Sequence, residues 1–168
     1  MLTHPATPND DELLIVRDFD APRALVFRAW TDASLLPVWF CPEGCDLPFH
    51  RFDPRVGGSY RVCLRGLESG TEWWMQGVFR EIEPIERIVL THVWDDPERR
   101  PEEDSVITVR LEDLGARTRM FFRQLRFVSL FERDDHRGGW NSCFNRLQRA
   151  VEAEAISRPN QASADGRD

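Results

Sequence analysis

From residue 46 to residue 126 apolar and polar side chains alternate with a period of two, and from Trp140 onward the period changes to three and four. That switch constrains the fold more than any other feature of the chain. Alternation at period two gives a strand one apolar and one wet face, the pattern of antiparallel ribbons. Trp140, Cys143, Phe144, Leu147 and Val151 instead line one narrow stripe of a helix, opposite Asn145, Arg149 and Glu152. Neither a one-faced sheet nor a one-striped helix can bury its apolar surface alone, so the helix must cover the sheet.

The rest of the chain fits around that pair. Strands are predicted at Leu13–Phe19, Ser59–Arg65, Glu72–Ile82, Arg87–Trp94, Ser105–Asp113 and Arg117–Arg126, with turns at Glu83-Pro84 and Leu114-Gly115. Between the first strand and the alternating region, Pro22 suits the first turn of a helix whose stripe is Leu25, Val26, Ala29 and Trp30. Asp32 caps a second short segment that ends at Trp39 and Phe40 and contains Pro37. Residues 1–11 and 157–168 read as polar tails, the latter disordered, around one domain at 12–156. The element order predicts an α+β fold: a curved antiparallel sheet gripping a long C-terminal helix, with two short helices closing one end.

Charge and composition exclude several classes of function. A net charge of −7 argues against nucleic acid, because phosphate binding rests on basic side chains. Every one of the 22 basic residues is arginine, so lysine Schiff-base chemistry is excluded. No uncharged apolar run approaches the roughly 18 residues of a spanning helix, and the N-terminus lacks a signal-peptide core. A cytoplasmic location follows as the expectation, with Cys41, Cys45, Cys63 and Cys143 as free thiols. Phe27 and Phe121, read as exposed aromatics, suggest a homodimer surface.

Six stretches, "FDAPRALVFRAWTD", "LLPVWFCPEG", "FDPRVGGSYR", "GVFREIEPIERIVLTHVW", "ITVRLEDLGARTRMFF" and "GGWNSCFNRL", stand in an order that resembles the bacterial relatives of the Hsp90 ATPase activator domain. That group belongs to the START-like, helix-grip (SRPBCC) superfamily, which also holds the birch-pollen allergen type and the polyketide cyclases. The resemblance spans about residues 13–153. It implies a helix-grip fold with an internal cavity. Where the family usually reads Trp-Trp-Gly-Pro, this chain has Trp39-Phe40-Cys41-Pro42, and Gln124 stands where many members carry histidine.

With the family shape, strand parity names the cavity positions. Tyr60, Val62 and Leu64 share the concave face with His92, Trp94, Met120, Phe122 and Gln124. Trp140, Phe144 and Leu147 come from the helix, and Trp30, Trp39 and Phe40 form the rim. A mostly apolar pocket with few polar points suits a small apolar, aromatic or lipid-like molecule. Two other readings stay open: a co-chaperone module acting on an Hsp90-like ATPase, and a cyclase- or hydrolase-like enzyme. His92 and Gln124 are either orienting groups for a ligand or a mutually satisfied buried pair. No catalytic residue is assigned, and no cofactor or metal is expected: Cys41 and Cys45 have knuckle spacing, but no second knuckle follows. Gly57 and Gly58 read as a turn or bulge. Gly138-Gly139 reads as the approach to the start of the last helix, or as a ligand portal, and the acidic stretch 95–104 as a solvated loop.

Overall fold

The computed structural model describes residues 11–95, 98 and 104–158; both expected tails fall largely outside these residues, as does most of the acidic loop. Seven strands follow in chain order around two short helices and one long one. They are β1 (Glu12–Phe19), α1 (Arg23–Thr31), a single tight turn at Ala33–Leu35, α2 (Leu36–Trp39), β2 (Cys45–Phe52), β3 (Ser59–Gly66), β4 (Glu72–Glu83), β5 (Arg87–Trp94), β6 (Ser105–Asp113), β7 (Thr118–Leu125) and α3 (Leu130–Ser157). The strands form one antiparallel sheet in the order β1-β7-β6-β5-β4-β3-β2. Apart from β1, which docks beside β7, every strand pairs with its chain neighbour, as expected of a meander of short hairpin connections. The architecture is the α+β helix-grip fold.

Parity decides which side chains meet α3. On β7 Met120, Phe122 and Gln124 are buried; on β5 Ile88, Leu90 and His92; on β3 Tyr60, Val62 and Leu64. The opposite face is held by ion pairs across strands, such as Asp18 with Arg119 between β1 and β7 and Asp46 with Arg65 between β2 and β3. Such exposed pairs contribute about 0–1 kcal/mol each, so the apolar face carries the stability. Arg110 lies on this outer side, its guanidinium 4.1 Å from the Phe121 ring centroid. Phe121 is thus half-covered, and Phe27 packs against the core, so neither is a freely exposed aromatic.

At the closed end, α1 and α2 pack their aromatics onto α3. Trp30 sits centrally, with ring centroids 4.7 Å from Trp39, 6.3 Å from Phe122 and 6.2 Å from Phe144. Pro37 falls in the first turn of the four-residue α2, where its missing N–H breaks no hydrogen bond. Gly57, at φ 83°, makes the turn from β2 into β3.

Helix α3 begins ten residues earlier than Trp140. Ser129 caps it by accepting from the backbone N–H of Glu132, while the Glu132 carboxylate accepts from the N–H of Val128. Ser129-Leu-Phe-Glu132 is a capping-box pattern that the hydrophobic period alone does not reveal. Gly138 and Gly139 therefore lie inside the helix rather than ahead of it.

Candidate functional site

Toward the open end, α3 stands away from the sheet and leaves a cavity of about 630 Å³. Three groups of residues wall it. The sheet supplies Leu64, Trp73, Met75, His92 and Trp94; the segment after α2 supplies Phe40, Pro42 and Cys45; α3 supplies Asp135, His136, Gly139, Trp140 and Cys143. The sheet wall is built from adjacent pairs, Leu64 opposite Trp73 and Met75 opposite Trp94. The volume lies in the range of small-molecule sites.

Five of the side chains named from parity and stripe line this space: Phe40, Leu64, His92, Trp94 and Trp140. The others are packed away from it. Trp30 and Trp39 are fully enclosed in the aromatic cluster and form no rim. Val62, Met120 and Phe122 are core residues of the sheet beneath α3, and Phe144 and Leu147 are core residues on the face of α3 that covers them. Tyr60 and Gln124 reach the site only through the groups they hold.

Tyr60 supports His92. Its hydroxyl oxygen lies 3.0 Å from the Thr91 carbonyl and 2.7 Å from His92 Nδ1. A carbonyl only accepts, so the hydroxyl proton goes to Thr91 and His92 must donate its Nδ1–H to the oxygen. That leaves His92 Nε2 as a bare acceptor. Burial, aided by the nearby His136, lowers the His92 pKa to about 3, so the ring is neutral. Burial likewise pushes the Tyr60 hydroxyl well above its usual range. Gly77, directly opposite Tyr60 in β4, makes the contact feasible: a Cβ there would overlap the Thr91 carbonyl oxygen and the Tyr60 ring.

Gln124 belongs to a second, one-directional chain. Trp140 Nε1 donates to Gln124 Oε1 at 2.9 Å, Gln124 Nε2 donates to Ser105 Oγ at 2.9 Å, and Ser105 donates to the His92 carbonyl. Both ends of the amide are taken, so Gln124 positions Trp140 in the wall and is not directly paired with the His92 ring. On the other side, Trp94 Nε1 donates to His136 Nε2 at 3.1 Å, and His136 Nδ1 donates to the Glu132 carbonyl at 2.9 Å. Trp94 and Trp140 thus have their N–H groups committed to protein acceptors.

Cys45 and Cys143 add thiols that burial pushes toward the protonated form. Arg146 lies behind them, its Nη1 donating to Cys41 Sγ at 2.8 Å and to the carbonyls of Cys41, Pro42 and Cys45. It ties the segment after α2 to α3. Among the described residues no three His, Cys, Asp or Glu side chains are grouped to hold a metal.

The cavity positions named from the sequence lack Pro42, Cys45, Trp73, Met75, Asp135, His136, Gly139 and Cys143. Trp73 and Met75 share one parity along β4, a signal that was available. A second was the glycine pair. A helical glycine is about 1 kcal/mol less favourable than alanine, yet a Cβ at Gly139 would meet nothing within 4 Å. The bare backbone there widens the cavity.

A one-sheet, one-helix grip bordering a mainly apolar, partly open cavity defines the helix-grip class, a fold suited to holding ligands. Comparisons narrow it. The profile of the Activator of Hsp90 ATPase homolog 1-like protein family matches residues 20–152, and the chain belongs to that family. A crystal structure from Chromobacterium violaceum is similar at 27% identity and TM-score 0.78, over 84% of this chain and 97% of that one. One from Nitrosomonas europaea (21% identity, TM-score 0.74, 89% of this chain and 99% of that one) shares the fold. So does an AHSA1 protein from Silicibacter pomeroyi, at 22% identity and TM-score 0.74, over 85% of this chain and 99% of that one. No curated protein matches the chain significantly. Among the described residues no helix is long and apolar enough to cross a membrane.

Proposed function

We propose that the protein binds a small apolar or aromatic molecule in the cavity between β3–β5 and the first half of α3. The observation that carries this reading is the 630 Å³ space itself, walled by aromatic, aliphatic and thiol side chains, with Gly139 as its helical floor. A folded core closes to near-crystalline density, so a space of this size that a leucine at a single helical position could partly fill is not a packing requirement. The N–H groups of Trp94 and Trp140 are already taken by His136 and Gln124, which leaves these two rings to gain free energy by covering carbon. Binding is driven by burial of apolar area at roughly 25 cal/mol per Å², less the cost of association.

Two measurements test the reading. Organic extraction of the purified protein followed by mass spectrometry is expected to release a co-purifying apolar molecule. Nile red is expected to bind wild type at one site and to lose that binding in Gly139→Leu, whose side chain enters the cavity without meeting another atom at its Cβ. Unchanged dye binding in a folded Gly139→Leu protein, with nothing extracted from wild type, removes the proposal.

A further inference from the structure

The polar content of the cavity narrows the ligand further. Trp94 and Trp140 direct their N–H groups to His136 and Gln124, and both His136 nitrogens are engaged. Asp135 is exposed. Deep in the wall, His92 is 3% exposed, its Nδ1 proton is committed to Tyr60, and its Nε2 lines the cavity with no partner. Among the described residues the buried polar side-chain atoms without a partner are Arg23 Nε and Trp30 Nε1, so His92 Nε2 keeps access to the cavity; a ligand that displaces water from it must supply a donor or leave the acceptor unpaired.

We infer that the cavity selects neutral apolar molecules carrying one hydrogen-bond donor, a phenolic or alcoholic hydroxyl or an aromatic N–H, which donates to His92 Nε2 while the hydrocarbon frame lies against Trp140, Trp94, Leu64 and Met75. The inference rests on the proposed binding role of the cavity and assigns its ligand class. Three features support it. The Tyr60–Thr91 arrangement fixes the tautomer, so Nε2 can only accept. Burial keeps the ring uncharged, so it offers no cation to a carboxylate. The Gln124–Ser105 chain ends on the His92 carbonyl and thus anchors the strand that presents the ring. The recognition logic is that of a site built to pair a substrate hydroxyl, which discriminates against the analogue lacking it by leaving a buried group unpaired.

Isothermal titration of the full chain with para-butylphenol, its methyl ether para-butylanisole, and para-butylbenzoate tests the inference. The phenol is expected to bind about tenfold more tightly than the ether, the gain of one buried hydrogen bond, and the benzoate more weakly than either. In His92→Phe the phenol should lose its advantage, and phenol and ether should bind alike. Histidine nitrogen NMR on wild type supplies a readout that does not depend on a variant folding: the bare Nε2 resonance should shift on adding phenol and stay unchanged with ether. Equal binding of phenol and ether, tighter binding of benzoate, or an unmoved Nε2 resonance in the phenol complex overturns the donor inference while leaving the cavity as a binding site. Failure of all three compounds, together with failure of Nile red, overturns the binding role itself.

Discussion

The Tyr60 hydroxyl lies 2.7 Å from His92 Nδ1, and its single proton is committed to the Thr91 carbonyl at 3.0 Å. One phenol oxygen therefore fixes both the tautomer and the orientation of the only buried histidine in the described cavity wall. In Tyr60→Phe the His92 Nδ1–H loses its acceptor and the Thr91 carbonyl its donor. Chemical denaturation should show a loss of about 1–3 kcal/mol, with the cavity volume unchanged because the ring remains.

His92 also sets how stability responds to acid. Its folded pKa of about 3 lies below the ordinary 6.5, so as pH falls the unfolded chain takes up the proton first. Stability from this group is complete above about pH 7 and declines through the interval between the two values. Between about pH 7.5 and about pH 5 the loss should be on the order of 2 kcal/mol, measured as a falling denaturation midpoint. Asp18, Asp32 and Glu43, whose arginine or serine partners lower their pKa, act at more acidic pH, from the lower end of the His92 interval downward. His92→Gln should flatten the first decline and leave the second; an unaltered slope between pH 7.5 and 5 would contradict the assignment.

Gly77 is required by proximity rather than by φ. Because an added Cβ overlaps a main-chain oxygen, which cannot swing aside as a side-chain tip can, Gly77→Ala should cost more than about 3 kcal/mol or prevent folding. A thermal melt near that of wild type would show that β4 and β5 separate more easily than their pairing suggests.

Gly138 presents the opposite case. It is an exposed helical residue whose added Cβ meets nothing within 4 Å. Gly138→Ala should therefore stabilise the protein by about 0.5–1 kcal/mol through helix propensity alone, without altering ligand or dye binding.

Two neighbouring tryptophans should respond differently to the same change. Trp39 Nε1 donates to the carbonyl of Ala29 at 2.9 Å, one of the last carbonyls of α1, which lack partners within the helix. Trp30 Nε1 is buried with no partner, inside the aromatic cluster. Both indole-to-phenyl substitutions remove similar volume, so Trp39→Phe should cost about 1–2 kcal/mol more than Trp30→Phe, the difference being the lost cap. Equal costs in urea titrations would mean that Ala29 finds another donor.

How much of this could be read from the chain follows from where periodicity carries information. The strand parities of Tyr60, Leu64, His92 and Phe122 are set by two-residue alternation, and all four point toward α3. The stripe at Trp140, Cys143 and Phe144 likewise identifies the buried side of α3. The first ten residues of that helix escaped because they meet the sheet through polar groups, His136 with Trp94 and Arg137 with the Leu14 carbonyl, and carry no buried apolar stripe; Phe131 is 84% exposed. Their signal was the Ser129–Glu132 cap instead.

The sequence alone thus determined the α+β architecture, the inward faces and the aromatic richness of the interior, because these depend on local period and on the need to bury carbon. It could not separate Trp30 and Trp39, which fill the core, from Phe40 and Trp140, which border the cavity, since all four are apolar residues on inward faces. That division depends on where α3 diverges from the sheet. The partners of His92 and Gln124 are tertiary facts for the same reason: Tyr60 lies 32 residues from His92, and Ser105 lies 19 from Gln124. Only the folded packing of β3 across Gly77 and of β6 beside β7 brings those atoms within hydrogen-bond reach.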